Sequence, residues 1–199
     1  MPQPPLPKTK RGRERRERIL RAAEKVIGRK GYTDASIADI TAEAETALGT
    51  FYIYFSSKED VFTQLVSEMG RMTRAVLARV SAGSRDRLDA ERQGLRAFLG
   101  FVAERPELYR IVEEARFVNP PAYRDYFSTF AEAYREQLEA ASGAGEIAPG
   151  DAEVRAWALM GMAKTLGERY VLWSDGTNLD HVADAAWEMI RHGLEVRNG

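Results

Sequence analysis

Apolar residues recur every three or four positions along most of the chain, and this spacing predicts an all-α protein of about nine helices. The first helix starts near Arg18, buries a face that includes Ile19 and Ala23, and ends at Gly31. A fourth, longer helix carries a continuous apolar stripe over residues 58–80. The remaining predicted helices span about residues 37–44, 47–54, 88–104, 107–118, 122–141, 151–173 and 179–196.

Between residues 36 and 60 two short helices precede the long one, and the first short helix and the long helix each begin with a capping pattern. A serine stands three residues before an aspartate at both 36–39 and 57–60, which is typical of a helix N-terminus. Phe51 and Phe55 are four apart, so they share one helix face and anchor it to a core. This order of helices is that of a helix-turn-helix. Lys58, in the first turn of the long helix, is well placed to hold a phosphate oxygen.

Residues 18–66 resemble the DNA-binding domain of the TetR family of transcriptional regulators. The match rests on the segments RILRAAEKVIGRKGYTDASIADITAEA and GTFYIYFSSKEDVF, whose order and spacing both fit, and it covers about a quarter of the chain. The resemblance implies an N-terminal three-helix helix-turn-helix domain and a C-terminal helical domain for ligand binding and dimerisation. It also implies a repressor that binds a palindromic operator as a homodimer and is released by a small molecule.

Breaks in the pattern predict the domain organisation. Residues 1–17 contain four prolines and a run of basic side chains, and we expect a disordered basic arm. The helix-turn-helix domain spans residues 18–66, and helix 4 continues to about residue 80 as a connector roughly 30 Å long. After a break at residues 82–84, residues 85–199 form the predicted C-terminal domain for ligand binding and dimerisation.

The net charge of −1 conceals an asymmetry between the two ends of the chain. Residues 1–58 hold 12 Lys and Arg against 7 Asp and Glu, whereas the remainder holds 17 against 23. A basic N-terminal part on an acidic body indicates that one end meets a polyanion. Lys8, Lys10, Arg11 and Arg13 are therefore predicted to contact DNA phosphates or the minor groove, although alone they would fit a solvated helix start equally well.

The second short helix, about residues 47–54, is the predicted recognition helix, and it departs from the family pattern. Glu45 stands where the turn requires a positive φ and the family usually has glycine, at a cost of about 1 kcal/mol. Leu48 stands where a basic or polar residue is common, and no Lys or Arg lies between Lys30 and Lys58. Bidentate readout of guanine by arginine is therefore excluded, which leaves methyl packing and hydroxyl bonds. The DNA-binding residues predicted in this region are Ser36, Ala47, Leu48, Gly49, Thr50, Tyr52, Tyr54 and Lys58.

An aromatic stripe at helical spacing runs along the predicted seventh helix, residues 122–141. The stripe alone fits an ordinary core, whereas the resemblance implies an inducer pocket in this region. Phenol groups among phenyls suit a small hydrophobic or amphipathic ligand. Arg116 either neutralises an acidic ligand group or pairs with Glu113 or a helix C-terminus. The predicted ligand-binding residues are Phe98, Tyr109, Arg116, Tyr126, Phe127, Phe130 and Trp157.

The last two predicted helices, 8 and 9, carry more apolar surface than one helix face can hide. Small residues such as Ala163 and Gly193 recur on them and permit another helix to approach closely. The resemblance implies that these helices pair with their copies in a four-helix bundle, so we expect a homodimer. The alternative is a monomer in which helix 8 is central.

The chain lacks the sequence signatures of catalysis and metal binding. It has no cysteine, no Gly-rich phosphate loop, no G-x-S-x-G and no H-E-x-x-H, and His181 and His192 are its only histidines. We therefore expect no enzyme activity, no cofactor and no metal. No run of about 18 apolar residues occurs, so no membrane span and a cytoplasmic location are predicted. The competing hypothesis is an all-α small-molecule carrier or enzyme with a vestigial helix-turn-helix.

Overall fold

The computed structural model describes residues 6–174, 176 and 178–196, and the regular structure of these residues is helical. The all-α fold predicted from the sequence is confirmed. Among the described residues, no helix has both the length and the apolar character that crossing a membrane requires. The α-helices are α1 (Lys10–Asp34), α2 (Ile37–Glu43), α3 (Leu48–Tyr54), α4 (Lys58–Gly83), α5 (Arg87–Glu104), α6 (Pro106–Val118), α7 (Pro120–Gly143), α8 (Ala152–Gly167) and α9 (Leu179–Leu194), with a π-helical turn at Glu168–Leu172.

α1 begins at Lys10, well before its predicted start, so the second half of the predicted disordered arm is helical. Thr9 caps this helix, because its hydroxyl oxygen accepts a hydrogen bond from the Gly12 N–H at 3.1 Å. The charged pair of Lys10 and Glu14, four residues apart, adds modest support on the exposed face. Residues 1–5 of the predicted arm lie outside the described residues.

Contacts divide the chain into two compact units. The first comprises Met1–Met69 and Glu107–Tyr126, and thus contains α1–α3, the start of α4 and nearly all of α6. The second comprises Gly70–Pro106 and Phe127–Gly199, and contains α5, α8 and α9 with the remaining parts of α4 and α7. α6 therefore belongs with the helix-turn-helix, although the chain reaches it only after α5.

The first unit is built around a core of aliphatic and phenyl side chains. Phe51 and Phe55 are fully buried, with their ring centroids 5.5 Å apart, as their spacing predicts. Each buried side chain of this size contributes roughly 1.5–3 kcal/mol, so the pair fixes α3 firmly to the unit. The other large, fully buried side chains of this unit are Ile19, Ile27, Ile40, Phe62, Leu65, Met69, Leu108 and Ile111.

α1 and α6 approach each other so closely that only glycine fits at the contact. A Cβ added at Gly28 would lie 2.3 Å from the Cβ and 2.8 Å from the Cα of Glu107. Atoms at these distances overlap, so a larger residue would force the two helices apart. α6 thus packs directly on the helix that leads into the helix-turn-helix.

The second unit has its own core, to which α5, α8 and α9 contribute. Beside this core, the buried Arg87 Nε donates to Glu91 Oε1 at 2.7 Å, and the Tyr134 hydroxyl donates to the other carboxylate oxygen. Burial of the phenol and then the Glu91 carboxylate raise the pKa of Tyr134 well above its usual value. Because the charges are paired and hydrogen-bonded, this cluster serves the fold. The buried core residues include Leu95, Leu99, Leu138, Ile147, Ala156, Val182, Ala186, Ile190 and Leu194.

Candidate nucleic-acid interface

α2 is fixed at its N-terminus by a capping box, as the Ser-x-x-Asp pattern predicts. The Ser36 hydroxyl oxygen accepts a hydrogen bond from the Asp39 N–H at 3.1 Å, and the Asp39 carboxylate accepts one from the Ser36 N–H at 3.0 Å. The Ser36 hydroxyl also donates to this carboxylate at 2.7 Å. Ser36 is predicted to contact DNA, but its hydroxyl is already engaged as donor and acceptor, so a DNA contact would have to displace a capping bond.

Acidic groups of α2 neutralise basic groups of α1. The Lys30 ammonium lies 2.9 Å from the Asp39 carboxylate, and this hydrogen bond, followed by those from Ser36, lowers the pKa of Asp39 to about 2. Lys25 lies 3.3 Å from the Glu43 carboxylate. These lysines hold α1 and α2 together and add no surplus positive charge for DNA.

The turn between α2 and α3 has the positive φ that its position predicts. Glu45 has a φ of 49° and is the one non-glycine residue with a positive φ among those the structure describes. The Glu45 N–H donates to the Ala42 carbonyl at 3.1 Å, and the Thr46 N–H donates to the Thr41 carbonyl at 3.0 Å. These bonds close α2, so the helix-turn-helix turns without the usual glycine.

α3 buries one face and leaves the other open. Phe51 lies on the buried face, whereas Leu48 is 53% exposed, Tyr52 51% and Ile53 62%. Ile53 is not among the residues predicted from the sequence, although its place off the face that Phe51 and Phe55 share indicates an outward side chain. Of the other predicted DNA contacts on this helix, Ala47 and Gly49 are exposed, and Thr50 and Tyr54 are half-buried.

Lys58, which is predicted to hold a phosphate oxygen, binds backbone carbonyls in this structure. Its Nζ donates to the carbonyl oxygens of Tyr32 at 2.6 Å and Ala35 at 2.8 Å, and lies 4.2 Å from the centroid of the Tyr32 ring. These carbonyls end α1, where helical acceptors lack partners and the helix dipole favours a cation. The sequence places Lys58 correctly in the first turn of α4, but its charge stabilises the end of α1.

α6 holds the same junction through Glu114. Both carboxylate oxygens accept the Tyr32 N–H, at 3.1 and 3.0 Å. This N–H follows Gly31, whose φ of 79° interrupts the helical geometry of α1. Glu114 on α6 and Lys58 on α4 thus fix the segment that leads from α1 into α2. Sequence spacing gives no signal for this contact, because Tyr32 and Glu114 are 82 residues apart.

The basic side chains at the start of α1 differ in how far they are engaged by the protein. Arg13 and Arg16 donate hydrogen bonds to protein acceptors. Arg11, Arg15 and Arg18 form no ion pair or hydrogen bond with the rest of the described chain, so their guanidinium groups are available to an external anion. The predicted phosphate contacts Lys8, Lys10, Arg11 and Arg13 are all exposed.

The predicted ligand-binding residues are divided between the two units. In the first unit Tyr109 is buried, whereas Arg116 is exposed, with its guanidinium 5.9 Å from the centroid of the Phe117 ring. In the second unit Trp157 is 45% exposed on α8. The remaining candidates are the half-buried Tyr126 in the first unit and Phe98, Phe127 and Phe130 in the second, also half-buried.

A surface recess of about 350 Å³ lies between α5 and α9 in the second unit. It contains none of the predicted ligand-binding residues. Within the described part of the chain, no group of three or more His, Asp or Glu side chains is placed to hold a metal ion. The recess is lined by Arg92, His181, Asp184, Ala185, Trp187 and Glu188.

Known proteins match both the helix-turn-helix and the whole fold. The family of bacterial regulatory proteins described as the tetR family matches residues 19–65. The uncharacterized HTH-type transcriptional regulator YdgC of Bacillus subtilis is 28% identical over 185 residues, which cover 90% of this chain and 91% of YdgC. A TetR-family transcriptional regulator from Pectobacterium atrosepticum has a TM-score of 0.75 at 26% identity, over 96% of this chain and 100% of its own. FadR from Bacillus subtilis, solved in complex with stearoyl-CoA, has a TM-score of 0.78 at 19% identity, over 87% of this chain and 96% of its own.

Proposed function

Because the chain is a transcriptional regulator of the tetR family, we propose that it is a repressor that binds a palindromic operator as a homodimer and leaves it when a small hydrophobic or amphipathic ligand binds. The observation that carries the proposal is the helix-turn-helix, in which the buried Phe51 anchors α3 while Leu48, Tyr52 and Ile53 are exposed. A helix presented in this way fits the major groove. A carrier or enzyme with a vestigial helix-turn-helix is not favoured, because neither would need this open face.

Phosphate contacts come from the start of α1. Arg11, Arg15 and Arg18 hold three guanidinium groups without protein partners in the described chain, and they belong to the same unit as α3. Each phosphate contact contributes roughly 0.9 to the slope of log K against log salt. The test uses an operator recovered by selection from random duplexes. Replacing all three arginines with glutamine should flatten the slope by up to about 2.7 per chain.

The matched control removes the same charge from the second unit. Arg85, Arg92 and Arg96 have carboxylate partners on Asp89, Asp184 and Asp180. Replacing these three arginines with glutamine should leave the slope unchanged. If the full chain selects no DNA sequence at any salt concentration, the proposal fails.

The dimer forms through α8 and α9. Both helices leave apolar side chains exposed in the single chain, namely Val154 and Trp157 on α8 and Met189 on α9. Gly161 and Gly193 are also exposed on these helices, and a residue without a side chain lets a second copy approach closely. A monomer with α8 at its centre would have covered Trp157, so the exposure supports the dimer.

Sedimentation at micromolar concentration tests the dimer. We expect twice the chain mass of 22.3 kDa. Trp157→Glu places a charge in the interface and should shift the protein towards the monomer. Phe117→Glu, on α6, changes a side chain that is 82% exposed elsewhere and should remain dimeric. A wild-type monomer that stays monomeric on DNA would contradict this assembly.

The ligand binds against the aromatic side chains of α7. Phe127 and Phe130 are half-buried, and the Phe130 ring meets Tyr134 edge to face at a centroid distance of 6.1 Å. Phe98, also half-buried, packs against the core of the second unit. Since FadR of Bacillus subtilis, which has a similar fold, was solved with stearoyl-CoA, a long-chain acyl-CoA is the first ligand class to test.

Operator release by stearoyl-CoA is the direct assay. We expect the ligand to displace the wild-type protein, and Phe130→Glu to abolish this response while keeping operator affinity. Ser128→Glu, which places the same charge on the exposed face of α7, is the control and should respond normally. Normal release of a folded, dimeric Phe130→Glu variant would mean that the α7 stripe is packing. If stearoyl-CoA fails to displace the wild type, this acyl-CoA is excluded as the inducer.

The switch works through α4, which begins in the first unit at Lys58 and ends in the second at Gly83. A ligand that repositions α6 and α7 tilts α4 and moves the paired recognition helices off the spacing of successive major grooves. A preference of about 3 kcal/mol for the released state weakens operator binding roughly 150-fold. By linkage, operator DNA weakens ligand binding by the same factor, which calorimetry with and without DNA measures.

A further inference from the structure

We infer that the exposed face of α3 reads the 5-methyl groups of thymine, so that the operator half-site is rich in A·T pairs and Leu48 and Ile53 determine its sequence. This inference rests on the proposed function, because it specifies which DNA the helix-turn-helix recognises. It assigns a role to Ile53 and names the thymine methyl group as the contact of the aliphatic face.

The face that α3 leaves open is aliphatic and aromatic. Leu48, Tyr52 and Ile53 are three of the most exposed large apolar side chains of the first unit, and they lie within one short helix. From residue 46 to residue 57 the chain contains no charged side chain and no side-chain amide. The hydroxyls of Thr50, Tyr52 and Tyr54 are the side-chain hydrogen-bonding groups on this helix.

The major groove offers these side chains one well-matched partner. Guanine is recognised by paired donors from arginine or lysine, adenine by the amide of asparagine or glutamine, and cytosine by a carboxylate. α3 carries none of these groups. Thymine alone presents a methyl group, which makes apolar contact with aliphatic side chains. Leu48 and Ile53 therefore discriminate by burying methyl groups, whereas a hydroxyl both donates and accepts and so distinguishes the bases poorly.

Gly49 supplies a second, independent observation at the same place. It is exposed in α3, and a Cβ added there would have no protein atom within 4 Å. Gly49 lies in the first turn of α3, where alanine is the better helix former, and no described protein atom requires the small size of glycine here. A close approach of DNA to this point of the helix would require it. Gly49→Ala thus separates folding from binding.

The experiment removes the methyl groups from the DNA and leaves the hydrogen-bonding pattern unchanged. Operators are selected with the full chain from random duplexes, and each thymine of a half-site is then replaced by deoxyuridine in both half-sites at fixed salt. One lost methyl contact corresponds to about a 4-fold loss of affinity, so a symmetric replacement should weaken binding about 15-fold at a contacted position. Replacement at positions outside the half-sites should have no effect.

Protein variants connect this effect to named side chains. Leu48→Ala and Ile53→Ala should each lose the affinity difference between thymine and deoxyuridine at one position of the half-site, the one that the shortened side chain would contact. Their melting temperatures should stay unchanged. Phe117→Ala, which shortens a still more exposed apolar residue on α6, should keep the full discrimination. Gly49→Ala should fold at least as stably as the wild type and bind the operator more weakly.

The outcomes distinguish a failure of methyl readout from a failure of the proposed function. A selected half-site made of G·C pairs, or one whose thymines are replaced by deoxyuridine without loss of affinity, overturns methyl readout and leaves the regulator intact. Selection that enriches no sequence overturns both the readout and the proposed function. If replacing thymine with deoxyuridine still weakens binding by both Leu48→Ala and Ile53→Ala, other side chains contact the methyl groups. That result would also overturn the inference.

Discussion

Glu45 allows a sharp test of backbone strain, because its φ is positive and its exposed side chain has no partner in the described structure. At this φ an L-residue with a Cβ costs about 1–2 kcal/mol. Glycine removes that cost but loses about 0.5–1 kcal/mol more conformational entropy on folding. The difference predicts that Glu45→Gly raises the free energy of unfolding by about 0.5–1 kcal/mol.

Chemical and thermal denaturation of the full chain measure this gain. For a chain of this size, it corresponds to a rise in Tm of roughly 1–4 °C. Glu45→Ala is the matched control, because it removes the same charge and keeps the Cβ that causes the strain, and we expect no comparable gain. If Glu45→Ala stabilises as much as Glu45→Gly, the charge and not the backbone is responsible. If Glu45→Gly destabilises, the turn is not strained and the reasoning fails.

Three further perturbations follow from contacts in the first unit. Lys58→Met removes a charged donor from the carbonyls that end α1, so urea denaturation should show a free energy of unfolding lower by about 2 kcal/mol. An unchanged midpoint would mean that water replaces the ammonium without cost. Gly28→Ala puts a Cβ 2.3 Å from a Cβ of α6 and should lower the free energy of unfolding by about 1–3 kcal/mol, whereas Gly100→Ala, with no atom within 4 Å, should be neutral or stabilising. The Lys30 contact lowers the pKa of Asp39 from 3.8 to about 2, so its carboxylate stabilises the fold above pH 3.8 and loses this effect as the pH falls towards 2. The difference in unfolding free energy between wild type and Asp39→Asn should shrink over that interval, and a constant difference would argue against the ion pair.

Features that depend on local spacing could be predicted from the sequence. The capping box at Ser36 and the burial of Phe51 and Phe55 follow from residues within one or two helical turns, whereas the positive φ at Glu45 is what the family resemblance implies. The start of α1 lies earlier than predicted, because Thr9 caps the helix directly after the proline-rich segment.

Features that depend on tertiary contacts could not be predicted in this way. The sequence indicates where Lys58 lies along its helix, but the carbonyls that it reaches belong to another helix. The partner of the Tyr32 N–H is on α6, and periodicity cannot identify it. Aromatic periodicity on α7 likewise cannot distinguish packing from a ligand site, so the residues assigned to the ligand remain a prediction.

The packing of α6 on α1 makes the DNA-binding head discontinuous in sequence. A fragment that stops at residue 69 would lack the helix that covers Gly28 and the carboxylate that accepts the Tyr32 N–H. In a chimeric regulator that joins this head to another sensor domain, α6 would come from the other protein. Its side chain at the position of Glu107 need not fit against Gly28. Transplanting the operator specificity of this protein therefore requires two segments of its chain, the N-terminal helices and the matching surface of α6.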